Sequence, residues 1–271
     1  MYKEEIRKED NFLLPQMNLS EGEGGFSADE LGADVDGMSL GFQRIKIPAG
    51  GALQFEIPSG DPENPDYEKT IVGVVMHHHE AYSYWAEGEE YSENARPLCA
   101  SVDGKDGFGS PGGKCKVCAL NRYGTAQRGT GKACKNMRIL YVLRSGDNMP
   151  MQLNLPPTSL KPWKNFVNQA FLFRRRASWG SVIEIGLKKM TNGKDAYSVA
   201  TFRLLRDFCG EELTQIRTLT SQFHEQLELI LAERVRNMQQ MNDENEYVDE
   251  EDWKEGTETF EIDGDSEELP A

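Results

Sequence analysis

The chain lacks any run of about 18 apolar residues, so no segment reads as a helix able to span a bilayer. Its first ten residues are charged and carry no apolar stretch of the kind a secretory leader needs. A cytoplasmic, reducing setting is therefore expected. The glycine-and-lysine loop that cradles nucleotide phosphates is missing. So are the dinucleotide glycine fingerprint, the serine elbow of hydrolases and the HExxH pattern. Gly22 to Gly25 falls in a glycine-rich arm, outside any strand-turn-helix context. Enzyme activity is not expected. Cysteine is scarce, with five among 271 residues. An odd, sparse set in a chain of this size argues against a disulfide framework and for a metal site.

What is present is unevenly spread. The net charge is −15, yet residues 242–271 carry fourteen acids and one lysine, and residues 1–40 carry ten acids and three bases. The remaining body, residues 41–241, is mildly basic at +5. Such polarity suits a body that meets polyanions and a tail that imitates one.

Residues 1–40 read as a flexible acidic arm, poor in apolar residues and broken by glycine. Residues 42–47 and 52–57 alternate as two strands around the Pro48-Ala49-Gly50-Gly51 turn. The β-branched run from Thr70 to Met76 reads as a buried central strand continuing towards Tyr82, Tyr84 and Trp85. Strands follow at 138–143 and 151–155, around a Ser145-Gly146-Asp147-Asn148 turn, and then a helix from Ser159 to about Phe171 capped by Thr158 or Ser159. A second hairpin, 181–187 with 196–204, closes around Asn192-Gly193. In 211–241, Leu213, Ile216, Thr220, Phe223, Leu227 and Ile230 recur at helical spacing on one face. Residues 242–271 are expected to be a disordered acidic tail, with Trp253 and Phe260 as partner anchors.

Short strands with a helix between the third and fourth core strands predict a mainly β fold, an OB-fold-like β-barrel over 41–210 with an insertion at 95–136 and a C-terminal helix. An immunoglobulin-type sandwich accommodates that helix poorly.

The insertion has almost no large aliphatic residues and needs a staple. Cys99, Cys115, Cys118 and Cys134 provide one, with spacing C-x15-C-x2-C-x15-C. The central pair forms a knuckle, Gly112-Gly113 allows its sharp backbone course, and the flanking cysteines return to complete four thiolates. A single structural zinc ion with no open coordination position is expected. His77, His78 and His79 read as polar or hydrogen-bonded residues ending a buried strand, and would be the first substitutes for a missing cysteine ligand. Cys209 reads as a free thiol.

Cations and planar rings are interleaved, as single-stranded nucleic acid requires: cations track phosphates and rings stack on bases. Lys161, Trp163, Lys164, Arg174, Arg175 and Arg176 form one such group. Tyr84, Trp85 and Tyr141 offer further stacking surface, and Arg122, Tyr123, Arg128, Lys132, Lys135 and Arg138 surround the cysteine loops.

The plan of residues 41–271, with Asn121-Arg-Tyr-Gly, Lys132-Ala-Cys-Lys and Leu155-Pro-Pro-Thr-Ser-Leu, resembles phage-encoded single-stranded DNA-binding proteins of the T-even helix-destabilising type. The T-even zinc site mixes one histidine with three cysteines, whereas four cysteines stand here. The resemblance implies sequence-independent binding of single-stranded DNA in replication, recombination or repair. It also implies replication or recombination partners for the acidic tail, some self-association, no membrane role, and residence in a host cytoplasm. A zinc-ribbon transcription or RNA-binding factor, and an acidic nucleic-acid mimic, are the alternatives.

Overall fold

The computed structural model describes residues 12–15, 41–61, 63–85, 97–126, 130–193 and 195–255, with side chains up to residue 242. The protein is mainly β. Its strands are β1 (Arg44–Ile45), β2 (Phe55–Ile57), β3 (Asp66–Glu68), β4 (Thr70–Tyr84), β5 (Cys99–Ser101), β6 (Asp106–Gly109), β7 (Gly113–Lys114), β8 (Lys135–Arg144), β9 (Met151–Leu155), β10 (Ser181–Asn192) and β11 (Asp195–Asp207). Helix α1 (Pro157–Val167) lies between β9 and β10, and helix α2 (Gly210–Glu255) follows β11.

Nine strands form one mixed sheet in the order β1-β9-β8-β4-β5-β6-β7, with β10 also pairing β4 and β11 pairing β10. β2 and β3 pair separately. β4 is the hub. Its first residues pair with β10, its length from Gly73 to Ser83 with β8, and its last three residues with β5. The β-branched run of Ile71, Val72, Val74 and Val75 suits a strand covered on both faces. β1 runs parallel to β9, and no ladder among the described residues joins β1 to β11. Ser198 Oγ, on β11, instead donates to the Ala52 carbonyl in the β1–β2 loop (2.6 Å).

Two cores flank this sheet. On one side Phe55, Ile71, Leu140, Leu153 and Ile183 pack with Trp163 and Phe171, from α1 and the π-helical turn that extends it. On the other, Val74, Met76, Tyr141 and Leu143 meet Ile216, Phe223 and Leu227 of α2. The residues read at helical spacing in α2 therefore bury the face they predict. The β4–β8 register shifts between Val75 and His77, so Met76 is an extra, bulged residue. Beyond the bulge His77 and His79 lie against Tyr141, and His77 meets His224 of α2, while His78 meets Trp163.

Three boundaries differ from the sequence reading. α1 begins after Pro156, with neither Thr158 nor Ser159 capping it. Ser159 is fully buried, and its Oγ accepts from the Ala200 N–H (3.0 Å), so tertiary contact with β11 claims it. The first strand keeps only Arg44 and Ile45, plus one bridge from Lys46 to Glu56. α2 runs to Glu255, past the expected end at Met241, because neither glycine nor proline occurs between Glu211 and Glu255. Trp253 is thus on helical backbone, and Phe260 lies outside the described residues, as does the arm at 16–40. No helix among the described residues is long and apolar enough to cross a membrane.

Candidate functional site

The segment between β4 and β8 contains the short strands β5, β6 and β7. Each of the four cysteines is placed there by backbone hydrogen bonds. Cys99 opens β5 opposite Tyr84. Cys115 N–H donates to the Lys105 carbonyl (2.9 Å), and a tight turn brings Val117 N–H to Lys114 O (3.2 Å) and Cys118 N–H to Cys115 O (3.4 Å). Cys134 N–H donates to Leu120 O (3.0 Å), returning the chain to the knuckle just before β8. Gly112 and Gly113, at φ +67° and +82°, supply the backbone the knuckle requires. Helix α2 braces the lobe from outside, where Asn242 Oδ1 accepts from the Gly109 N–H (2.8 Å).

All four sulfurs are free thiols, and all four cysteines line one cavity of about 10 Å³ together with Tyr82, Tyr84 and Ser101. A Cβ added at Gly107 would stand 2.9 Å from Cys99 Sγ and 3.6 Å from Cys115 Sγ, so both sulfurs crowd one point that only glycine leaves open. Burial pushes the Cys99 and Cys115 thiols up, and burial followed by neighbouring Cys115, Cys99 and Cys118 pushes Cys134 up to about 11. Opposing this, the Gly112 N–H bonds the Cys99 sulfur and the Ser101 hydroxyl bonds that of Cys115. Among the described residues, no three His, Cys, Asp or Glu side chains are arranged as a metal cluster. The four thiols surround one space without closing on it. A dication that deprotonated them would hold each at about 2.3 Å. Cys99, Cys115, Cys118 and Cys134 are the residues that could hold a metal.

The histidines take no part in this cavity. His77 Nδ1 meets His224 Nε2 at 3.2 Å, and His79 Nε2 meets the Tyr141 hydroxyl at 3.2 Å. His78 Nδ1 accepts from Arg138 Nε–H (3.0 Å). Burial, then His224, His79 and Arg138, lowers His77 to about 4, and burial, then Arg138 and His77, lowers His78 to about 3.

Of the expected nucleic-acid contacts, the structure groups some and removes others. Tyr123 is 82% exposed at the tip of the cysteine lobe, with the Lys132 ammonium 5.1 Å from its ring centre and Arg122 exposed beside it. Val117 is 70% exposed in the knuckle turn, between the exposed Lys116 and the half-buried Cys118, and Lys135 is exposed where the lobe meets β8. Arg128 lies outside the described residues. Tyr84 and Trp85 are half-buried at the end of β4. Lys161 and Lys164 are exposed on α1, but Trp163 between them is buried, packed against Phe202 and His78. Tyr141 is likewise fully buried, edge-on to Phe42 and under α2. Neither ring can stack on a base.

Arg138 is held by His78 and lies 3.6 Å from Glu80. Arg174 pairs with Asp207, and Arg176 lies 3.4 Å from the same carboxylate while donating to the Gly180 and Phe208 carbonyls. Burial raises the Asp207 pKa, yet hydrogen bonds from Arg174 and Ser181 outweigh it and leave the net shift downward. Arg174 and Arg176, expected as phosphate contacts, are thus engaged by Asp207. Arg175 stays exposed at φ +51°.

A groove missed in the sequence opens on the side where no ladder joins β1 to β11. It measures about 670 Å³ and is lined among others by Arg44 and Lys46 of β1, Met137 of β8, Asn154 of β9 and Tyr197 of β11. The alternation that puts Arg44 and Lys46 on one face of a strand was its sequence signal. Comparison with family models, curated proteins and solved structures finds no match for the chain.

Proposed function

We propose that the protein is a non-enzymatic, sequence-independent binder of single-stranded DNA, acting in phage DNA replication, recombination or repair, with one structural zinc held by Cys99, Cys115, Cys118 and Cys134. The observation that carries this reading is the convergence of four thiols in a lobe that exposes Tyr123, Arg122 and Lys116, with the half-buried Lys132 over the Tyr123 ring. Tyr123, Arg122, Lys132, Lys116 and Lys135 stand on a lobe whose own apolar content is too small to hold them. Four thiolates leave zinc no open position, so the metal serves the lobe's shape. An exposed ring beside cations offers base stacking and phosphate attraction together, the combination that single strands need.

The strand order supports the finer fold reading. β4, β8, β9, α1, β10 and β11 follow the chain order of an OB-type barrel, with β4 pairing both β8 and β10. In that reading the cysteine lobe is the loop between the first two barrel strands, and the β10–β11 turn is the loop between the last two. Both loops belong to the oligonucleotide-binding side of such barrels. The acidic residues after Met241 then contact replication or recombination proteins and compete with DNA for the basic surface.

Fluorescence titration of the full chain with oligo-dT of increasing length, and with duplex, at two salt concentrations tests the reading. Affinity should rise with length, favour single strands, and fall with salt by about 0.7 in log–log slope per phosphate contact. Equal or tighter binding to duplex, or none to either, contradicts it.

A further inference from the structure

The groove between β1 and β11 belongs to neither the cysteine lobe nor α1. Its size falls within the range of ligand-binding clefts. One of its lining residues, Met137, stands three residues after Cys134, on the strand into which the lobe returns. Arg44 and Lys46 of β1, Asn154 of β9 and Tyr197 near the start of β11 also line it. The charges along it are unequal. Lys46 pairs with Glu56 across the β1–β2 bridge at 2.9 Å, so that cation is already matched. Arg44 is exposed and has no side-chain partner among the described residues. Tyr197 is half-buried, with its neighbour Ser198 pinned to Ala52, so the backbone that carries the ring is fixed. Thr158 and Asn154 add hydroxyl and amide groups to the wall.

We infer that this groove is a second subsite for the same strand, with Arg44 meeting a phosphate and Tyr197 stacking on a base. The inference rests on the single-strand reading and extends it by giving the strand a path from the cysteine lobe, past Met137, into the open side of the sheet. A duplex is too wide for such a path, because one base must leave its stack to reach Tyr197. An exposed cation and a half-buried ring lining one groove are complementary to a negative polymer that carries bases.

The test is titration of the full chain and three variants with a long oligo-dT. Tyr197→Ala should weaken binding about tenfold, whereas Tyr197→Phe, which keeps the ring, should stay near the parent. Arg44→Ala should lower affinity several-fold and reduce the log–log salt slope by about 0.7. Thermal melting and zinc content should be unchanged in all three. If the parent binds oligo-dT while Tyr197→Ala and Arg44→Ala match it in affinity and slope, the groove is off the path and the single-strand reading survives. If the parent binds no single strand, that reading fails and takes the groove with it. Equal losses in Tyr197→Phe and Tyr197→Ala also overturn the stacking role.

Discussion

The sheet-and-helix body and the cysteine lobe are built from opposite materials. In the body, Leu140, Leu153, Ile183 and Phe171 are almost wholly removed from water, and two separate cores grip the sheet from both sides. In the lobe the buried cluster is Tyr82, Cys115 and Cys134, with Tyr84 and Leu120 packed against it. The body is held by apolar area, at roughly 25 cal/mol per Å² buried. The lobe has little such area to bury and instead brings four thiols around one cavity. A region that exposes Tyr123, Arg122 and Lys116 cannot also spend them on a core. In the proposed reading, cross-linking by a metal leaves those side chains at the surface.

This contrast can be broken at its strongest point first. Cys115→Ser should remove the metal from the chain, a loss of apparent binding energy of about 10–16 kcal/mol for a structural zinc. Amide exchange should then rise through β5 to β7 while β10 and β11 keep their protection. Metal analysis coupled to exchange mass spectrometry checks both halves.

The converse lesion belongs to the body. Leu140→Ala should cost about 2–5 kcal/mol in denaturant unfolding, through lost transfer energy and a residual cavity. Its zinc content should stay at one per chain, since Leu140 faces the α1 core.

Acid should also act on the body, through the three histidines of β4. His77 and His78 have folded-state values lowered to about 4 and about 3, and His79 is lowered by burial, so the native chain binds fewer protons than the unfolded chain below pH 6.5. Stability present at pH 7 is therefore lost as pH falls from about 6.5 towards 4. Melting temperature should drop measurably between pH 7 and pH 5.5, and His77→Gln should shrink that drop.

The smallest structural effect is expected from the lobe's tip. Tyr123→Ala should change stability by no more than about 0.5 kcal/mol, because the ring is exposed, yet weaken oligo-dT binding about tenfold. Melting and titration on one preparation separate the two.

Local pattern carried much of this architecture. β9 spans Met151–Leu155 as alternation indicates, the Asn192-Gly193 turn marks the β10–β11 hairpin, and Ile216, Phe223 and Leu227 bury one helical face. The cysteine spacing brought the four thiols to one cavity. What stayed hidden depends on partners remote in sequence. Asp207 lies more than thirty residues from Arg174, so nothing near the arginine run announces its neutralisation. Trp163 and Tyr141 read as stacking rings because a lone aromatic carries no sign of the helix or strand that will cover it. Ser159 looks like a cap until β11 returns to claim its hydroxyl. The groove at Arg44 and Tyr197 needs β1 beside β9 and β11 opposite, a juxtaposition of segments about 150 residues apart.

The most direct measurement is hydrogen exchange of the full chain before and after removal of metal by a strong chelator under reducing conditions. One zinc should be released per chain, with loss of protection across residues 99–134 and unchanged protection in β4, β8, β10 and β11. A purified chain that is metal-free with four reduced thiols, and whose lobe is as protected as β4, β8, β10 and β11, would contradict this.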